Sequence, residues 1–419
     1  MICTAAASVG LSMAIVSISK LLLVICGLVV LLISRHTKDI SALDATSDTG
    51  GTSGFFTGLS AFSTPYAVLV AIFAFAVSLL WTVAPQADAL GSLAKYGKLI
   101  TILLMLGLIR SRREAQLALA SFVLAQAFLL ASSWMLYFHL PVPWATSNMA
   151  LLEFAVFSSY LDQGIMSAVL AALCWHLRSL APGRFGKPVA VAMAVAAMAN
   201  VLFVLSGRSG HVVAIALLSL AIMWELPRRL RLVALAVPFI LVLIFFFSST
   251  KVRERLIGVK TEVASYSTQA QPTTSSGIRL GFWRKALQII AENPVAGAGV
   301  GAWSTEYNRL QRSQNPTHVD IAGNGNPHQE YLLWGVQLGI PGIALLCALL
   351  LASLRDSFKM ETAHARALQS AVMALAIACA FNASIYDALI GDFFCVLLGL
   401  LLALGSTRIA GPRLNRVNA

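Results

Sequence analysis

Eleven apolar stretches, running from Ile2–Ser34 to Phe393–Leu404 and parted by polar connectors, limit what this chain can become. A soluble core has no use for so many runs of that length. A bilayer does, because about 20 apolar residues cross its hydrocarbon layer. The runs are continuously apolar, without the alternation of a barrel strand, and within lipid the backbone must satisfy its own hydrogen bonds. They are therefore read as helices. Charged residues make up 11% of the 419, against about a quarter in soluble domains. The expected fold is an all-α polytopic integral membrane protein with about twelve transmembrane helices. The count is eleven if Ile2–Ser34 crosses once, and twelve if it is a hairpin broken near Ser19-Lys20. The hairpin is the cheaper arrangement, since a lone Lys at the bilayer centre costs about 3 kcal/mol. A signal peptide is a poorer reading of this stretch, which lacks a basic start and is too long.

The net charge of +12 is unevenly placed. Arg110-Ser111-Arg112-Arg113, the Arg178/Arg184/Lys187 connector, Pro227–Arg231 and Arg355–Arg366 are basic, whereas Leu140–Asp162 and Tyr386–Asp392 contain no Lys or Arg. Basic short loops stay in the cytoplasm. Both termini, including Arg408, Arg413 and Arg416, are then cytoplasmic, and His36–Pro65 is a flexible cytoplasmic connector. The turn at Arg208 and the long loop Lys251–Pro327 face the other side. The chain divides into an N-terminal transmembrane bundle (1–249), a large outer loop with short helices (250–329) and C-terminal transmembrane helices (330–419), together one structural unit.

Between Lys251 and Glu330 there are nine Lys/Arg and six Asp/Glu, and the Ser/Thr/Gln-rich part, Thr261–Ser276, reads as mobile. Ile278–Glu292 reads as an amphipathic helix with Ile278, Phe282, Leu287 and Ile290 on its apolar face. Pro294 ends it, and Gly297, Gly299 and Gly301 permit a tight, exposed backbone path. With no strand before it, this Gly-x-Gly-x-Gly is no dinucleotide signature.

Three residues in these outer regions suit chemistry. Arg208 stands among small residues, Leu205-Ser206-Gly207-Arg208-Ser209-Gly210-His211. Reaching for lipid headgroups explains it equally well on position alone, but an uncovered guanidinium also makes a bidentate anion clamp. Arg279, one helical turn before Trp283, is the loop's candidate for the same work. His328 re-enters the membrane region in Asn326-Pro327-His328-Gln329-Glu330. Capping is the commoner use of such a histidine, yet imidazole titrates near neutrality and can take a hydroxyl proton. His211, His318 and His176 are weaker candidates, and Asp387 and Asp392 fit ordinary interfacial polarity. The six cysteines sit singly in apolar runs, with no Cys-x-x-Cys pair and no paired His or carboxylate motif. No metal and no cofactor is expected, and no nucleic-acid motif is seen.

Three stretches together resemble the bacterial O-antigen ligase / O-antigen polymerase superfamily. Ser206–Gly210 is similar to its Ser-x-Arg turn. Arg279…Trp283…Asn293-Pro294-Val295-Ala296-Gly297-Ala298-Gly299 is similar to its Arg…Trp…Asn-Pro-x-x-Gly-x-Gly stretch. His328-Gln329, nine residues, then Gly339-Ile340-Pro341-Gly342 matches the ligase pattern of His, Asn/Ser/Gln, nine residues, Gly, two residues, Gly. The resemblance covers Val204–Gly342. It implies a metal-independent, inverting glycosyltransferase of the bacterial inner membrane with a periplasmic active site. His328 would be the base, while Arg208 and Arg279 would act on the diphosphate. Trp283 and Gln329 would join the two arginines in binding substrate. The implied donor is undecaprenyl-diphosphate-linked O-antigen and the acceptor lipid A–core oligosaccharide, with membrane lipids around the chain. O-antigen polymerases and pilin oligosaccharyltransferases of the superfamily are alternatives. The single large outer loop and the short C-terminal region favour the ligase. A transporter would want charges inside its spans, and apart from Lys20 few are visible.

Overall fold

The computed structural model describes residues 1–9, 11, 13–41, 59–231, 236–248, 275–317, 319–323 and 325–406, and among these every regular element is helical. In chain order they are α1 (Ile2–Ser8), α2 (Met13–Ser41), α3 (Thr64–Val77), α4 (Gln86–Tyr96), α5 (Ile100–Leu108), α6 (Arg112–Tyr137), α7 (Tyr160–His176), α8 (Gly186–Ala199), α9 (Arg208–Glu225), α10 (Val237–Ser248), α11 (Ser275–Glu292), α12 (Trp303–Gln314), α13 (Glu330–Leu338), α14 (Ile340–Ser357), α15 (Thr362–Phe381) and α16 (Ala388–Gly405), with short 3-10 or single-turn pieces between some of them. Seven helical stretches among the described residues are long and apolar enough to cross a membrane: Gln86–Leu108, Arg112–Tyr137, Gly186–Val204, Arg208–Glu225, Glu330–Ser357, Thr362–Phe381 and Ala388–Gly405. Ala14–Val29 and Thr64–Leu80 are apolar but shorter. The chain is a multi-pass membrane protein. Most of the His36–Pro65 connector, the Lys251–Thr274 part of the loop and the arginines of the C-terminal tail lie outside the described residues.

The first apolar stretch breaks elsewhere than expected. Its break falls between α1 and α2, and α2 passes through Ser19-Lys20 without interruption. At 1.5 Å per residue α1 is only about 10 Å long, a third of a bilayer's core. Lys20 is tolerated within α2 because Asp392 of α16 meets it, with Nζ 2.8 Å from both carboxylate oxygens. A partner distant in sequence replaces the interface that a lone cation would otherwise seek.

Helix crossings bring the two ends of the bundle into order. α7 and α9 touch at Gly164 and Gly210, where a Cβ on Gly210 would stand 3.0 Å from the Gly164 Cα. Small residues allow this close approach between membrane helices. Gly207, before α9, sits as tightly against the Tyr160 carbonyl. Arg208 is thereby placed beside the start of α7. At the opposite end Arg178 pairs with Glu225 at 3.0 Å, and Arg366 donates to the Trp224 carbonyl at 3.2 Å.

The backbone from Gly297 to Gly301 is buried, which corrects the exposed path expected of it. It forms a seam between two helix ends. Ala298 and Gly299 donate to the carbonyls of Val336 and Gln337 at 2.8 and 2.9 Å, and Val83 donates to the Ala298 carbonyl at 3.0 Å. Gly299, at φ +90, lies so close to Thr82 that a Cβ there would fall 2.2 Å from the Thr82 Cα. Glycine is required for contact as much as for conformation. Gly339, at φ +71, separates α13 from α14 and faces the Pro294 carbonyl, to which Ile340 donates at 2.8 Å. The Asn-Pro stretch and the Gly-x-x-Gly stretch of the sequence are thus two sides of one joint.

Candidate functional site

α11 ends at Glu292 as the periodicity predicts, but it begins three residues earlier, at Ser275, and its buried face differs. Ala286, Ile289 and Ile290 are buried, whereas Ile278 and Leu287 are 42% and 58% exposed. Phe282, Ala286, Ile289 and Ile290 follow helical spacing more closely. Phe282 packs edge-on against Trp303 and Tyr307 of α12, with centroids 5.8 and 5.1 Å away. This contact sets the rotation of α11 and turns Arg279 toward the bundle. Arg279 Nη1 donates to the Phe381 carbonyl at the end of α15, 3.1 Å away, which engages one of five guanidinium donors. Burial lowers its pKa from the usual value, Tyr160 and Asp387 oppose that shift, and the charge of Arg208 adds to it. The guanidinium remains charged, and the two arginines feel each other's field.

His328 is held in an unusual backbone conformation, φ +54. A non-glycine residue there costs about 1–3 kcal/mol and persists only where its surroundings fix it. Asn326 supplies part of that constraint, its Oδ1 accepting the His328 N–H at 2.8 Å. The ring stacks on Phe282 at 6.2 Å between centroids. His328 Nδ1 lies 3.4 Å from Asn382 Oδ1. Asn382 also hydrogen-bonds the Asp387 carboxylate, which can only accept, so the amide turns its nitrogen to Asp387 and its oxygen to the imidazole. In the neutral ring, a proton on Nδ1 pointing at that oxygen leaves Nε2 its lone pair. Asn326 Nδ2 donates to Asp387 Oδ1 at 3.1 Å, closing the circuit. Burial raises the pKa of Asp387, and His328, Lys98 and Lys95 pull it back down.

A cavity of about 850 Å³ opens between these elements. Arg279, His328, Asn382, Asp387 and Asp162 line it, with Thr146 and Phe157–Ser159 of the connector after α6 along another side. It brings a guanidinium, an imidazole and carboxylates together, a set of groups that suits an anionic leaving group beside a hydroxyl nucleophile. Among the described residues no three His, Cys, Asp or Glu side chains converge as metal ligands would.

Of the residues singled out in the sequence, His328 and Arg279 share this cavity, and Arg208 stands within electrostatic reach of Arg279. Trp283 instead packs partly buried against the core, with its indole N–H buried and without a partner among the described residues. The Gln329 side-chain oxygen caps α13 by accepting from Leu332 N. Neither is among the cavity-lining residues. His211 bonds the Gly207 carbonyl at 2.7 Å, His176 lies edge-on to Trp224 at the bundle's other end, and His318 lies outside the described residues. Asn326, Asn382 and Asp162 escaped sequence reasoning because isolated polar residues at helix ends carry no pattern. Asp387 was legible only as an acid at a helix start.

Residues 191–347 match the family model described as O-antigen ligase. The match includes Arg208, Arg279, Trp283, His328 and Gln329 and ends before Asn382 and Asp387. No curated protein is significantly similar to the chain.

Proposed function

We propose that this chain, whose residues 191–347 match the O-antigen ligase family model, carries out the ligase reaction itself. A glycan passes from undecaprenyl diphosphate to a hydroxyl of lipid A–core oligosaccharide at the periplasmic face of the bacterial inner membrane. The observation that carries this reading is the single cavity shared by His328 and Arg279, with Arg208 beside it. His328 Nε2 takes the proton of the acceptor hydroxyl, and that oxygen attacks the anomeric carbon. The bond from that carbon to the diphosphate oxygen breaks, and both electrons leave with the diphosphate. Arg279 and Arg208 stabilise the charge growing there. Attack opposite the leaving group inverts the anomeric centre. Asp387, joined to the imidazole through Asn382, favours the imidazolium that forms.

The test is to give the purified protein an undecaprenyl-diphosphate glycan together with lipid A–core, a second lipid-linked repeat or a pilin, each separately. Transfer to lipid A–core is the expected result. Transfer to a lipid-linked repeat alone would make the protein a polymerase, and transfer to pilin alone a pilin oligosaccharyltransferase. Retention of activity in EDTA is also expected, since arginines supply the positive charge at the leaving group.

A further inference from the structure

Two buried ionisable side chains behind the cavity hold the short segment Ile385–Asp387 that joins α15 to α16. Glu330, with 0% exposure, accepts the backbone N–H groups of Ile385 and Tyr386 at 2.8 and 3.1 Å and the Trp334 indole N–H at 2.8 Å. Lys98, 6% exposed, lies between α4 and α5 and donates to the Tyr386 and Asp387 carbonyls at 3.2 and 2.6 Å. Three residues thus make four hydrogen bonds with side chains on two other elements, donating two to Glu330 and accepting two from Lys98. Gly391 closes the fit, since a Cβ there would meet Lys98 Nζ at 2.8 Å and the Ile385 carbonyl at 2.4 Å. A plain connector needs no such grip, and burying ionisable groups is costly where apolar ones would pack.

What this segment presents is the Asp387 carboxylate. It accepts from Asn326, whose oxygen holds the His328 N–H, and it bonds Asn382, which faces the imidazole. We propose that Lys98 and Glu330 are positioning residues for glycan transfer. They lock the backbone of 385–387 so that Asp387 and Asn382 keep His328 aligned with Arg279 across the cavity. Neither lines the cavity, so each acts through that segment. This rests on the reading of His328 as the base. The charged groups facing His328 are Arg279, Asp162 and Asp387, and those around Asp387 also include Lys95, Lys98 and Glu330.

The experiment uses the full-length protein with undecaprenyl-diphosphate glycan and lipid A–core, comparing wild type with Lys98→Met and Glu330→Gln. Rates are normalised to folded protein measured by thermal melting. Both variants should lose kcat on the order of 10- to 100-fold, because a small misplacement of a catalytic group is enough for that. KM for donor and acceptor should stay within about twofold, as expected when only a transition-state interaction is lost. In Lys98→Met the acidic limb of the kcat/KM profile should move to higher pH. Lys98 is among the charges that pull the Asp387 pKa down, so without that cation the carboxylate is lost at a higher pH. A structural role alone would scale activity with the folded fraction and leave the limb in place. That result, an unchanged kcat, or a change confined to KM would overturn the proposal. Absence of transfer by the wild type with every acceptor would instead strike the glycosyltransfer reading.

Discussion

Charged side chains gather in two adjoining regions of this protein, and they are used differently. In the cavity, Arg279, His328, Asp387 and Asp162 face open volume. Directly behind it, Lys98 and Glu330 are spent on backbone groups of the protein itself. The first group can exchange its interactions with a ligand, whereas the second can only lose them. On the proposed reading, chemistry and positioning are thereby separated by one short segment, 385–387. The difference teaches that burial alone does not mark a catalytic residue: the more buried charges are the supporting ones.

The comparison can be broken most sharply at His328. Replacing it with alanine should lower kcat by about 10²–10⁴-fold, the usual worth of a positioned base. His328→Gly should do the same while slightly raising the melting temperature, because glycine relieves the strain at φ +54. A loss of both stability and transfer in that variant would return His328 to a packing role. Arg279→Ala should follow at on the order of 100-fold, the scale of a lost charge-stabilising donor. Arg279→Lys should recover only part of this, as an ammonium lacks the planar fork. Full recovery would reduce Arg279 to a simple point charge.

A smaller effect is expected from pH. Burial raises the Asp387 pKa, so its carboxylate is present above that elevated value and is lost as pH falls through it. Transfer should decline on the acid side accordingly. In Asp387→Asn the carboxylate whose protonation sets that decline is gone, and the acidic limb should move to lower pH. That is opposite in sign to the shift expected from Lys98→Met, so the pair reports on one electrostatic chain. Smallest of all should be Gln329→Ala. Loss of the α13 cap should destabilise by about 1 kcal/mol, with acceptor KM unchanged. A raised KM would move Gln329 from capping to substrate binding.

Much of the fold was legible because lipid leaves few choices. Apolar runs such as Phe393–Leu404 and Ala367–Ile385 could only be helices, and they fold into Ala388–Gly405 and Thr362–Phe381. The first stretch misled because Lys20 was judged alone, and the cost of a buried charge depends on a partner 372 residues away. The exposed face of α11 misled likewise: near a membrane several faces of a helix are apolar, and periodicity cannot choose among them. His328, Arg279 and Arg208 stood out because charge is rare in such a sequence, and spacing tied them to known motifs. Asn326 and Asn382 could not, since an amide gains meaning only from what it touches.

By itself, then, the sequence determined the solvent, the helices, the polar loop and the residue types available for acid–base and anion chemistry, all of which follow from local hydrophobicity and spacing. Tertiary structure alone decided that Phe282 turns Arg279 inward, that the 297–301 backbone is buried against Thr82 and α13, and that Lys98 and Glu330 grip the segment carrying Asp387. Hydrogen bonds and close contacts act over a few ångströms, and only the folded chain brings residues hundreds of positions apart within that range.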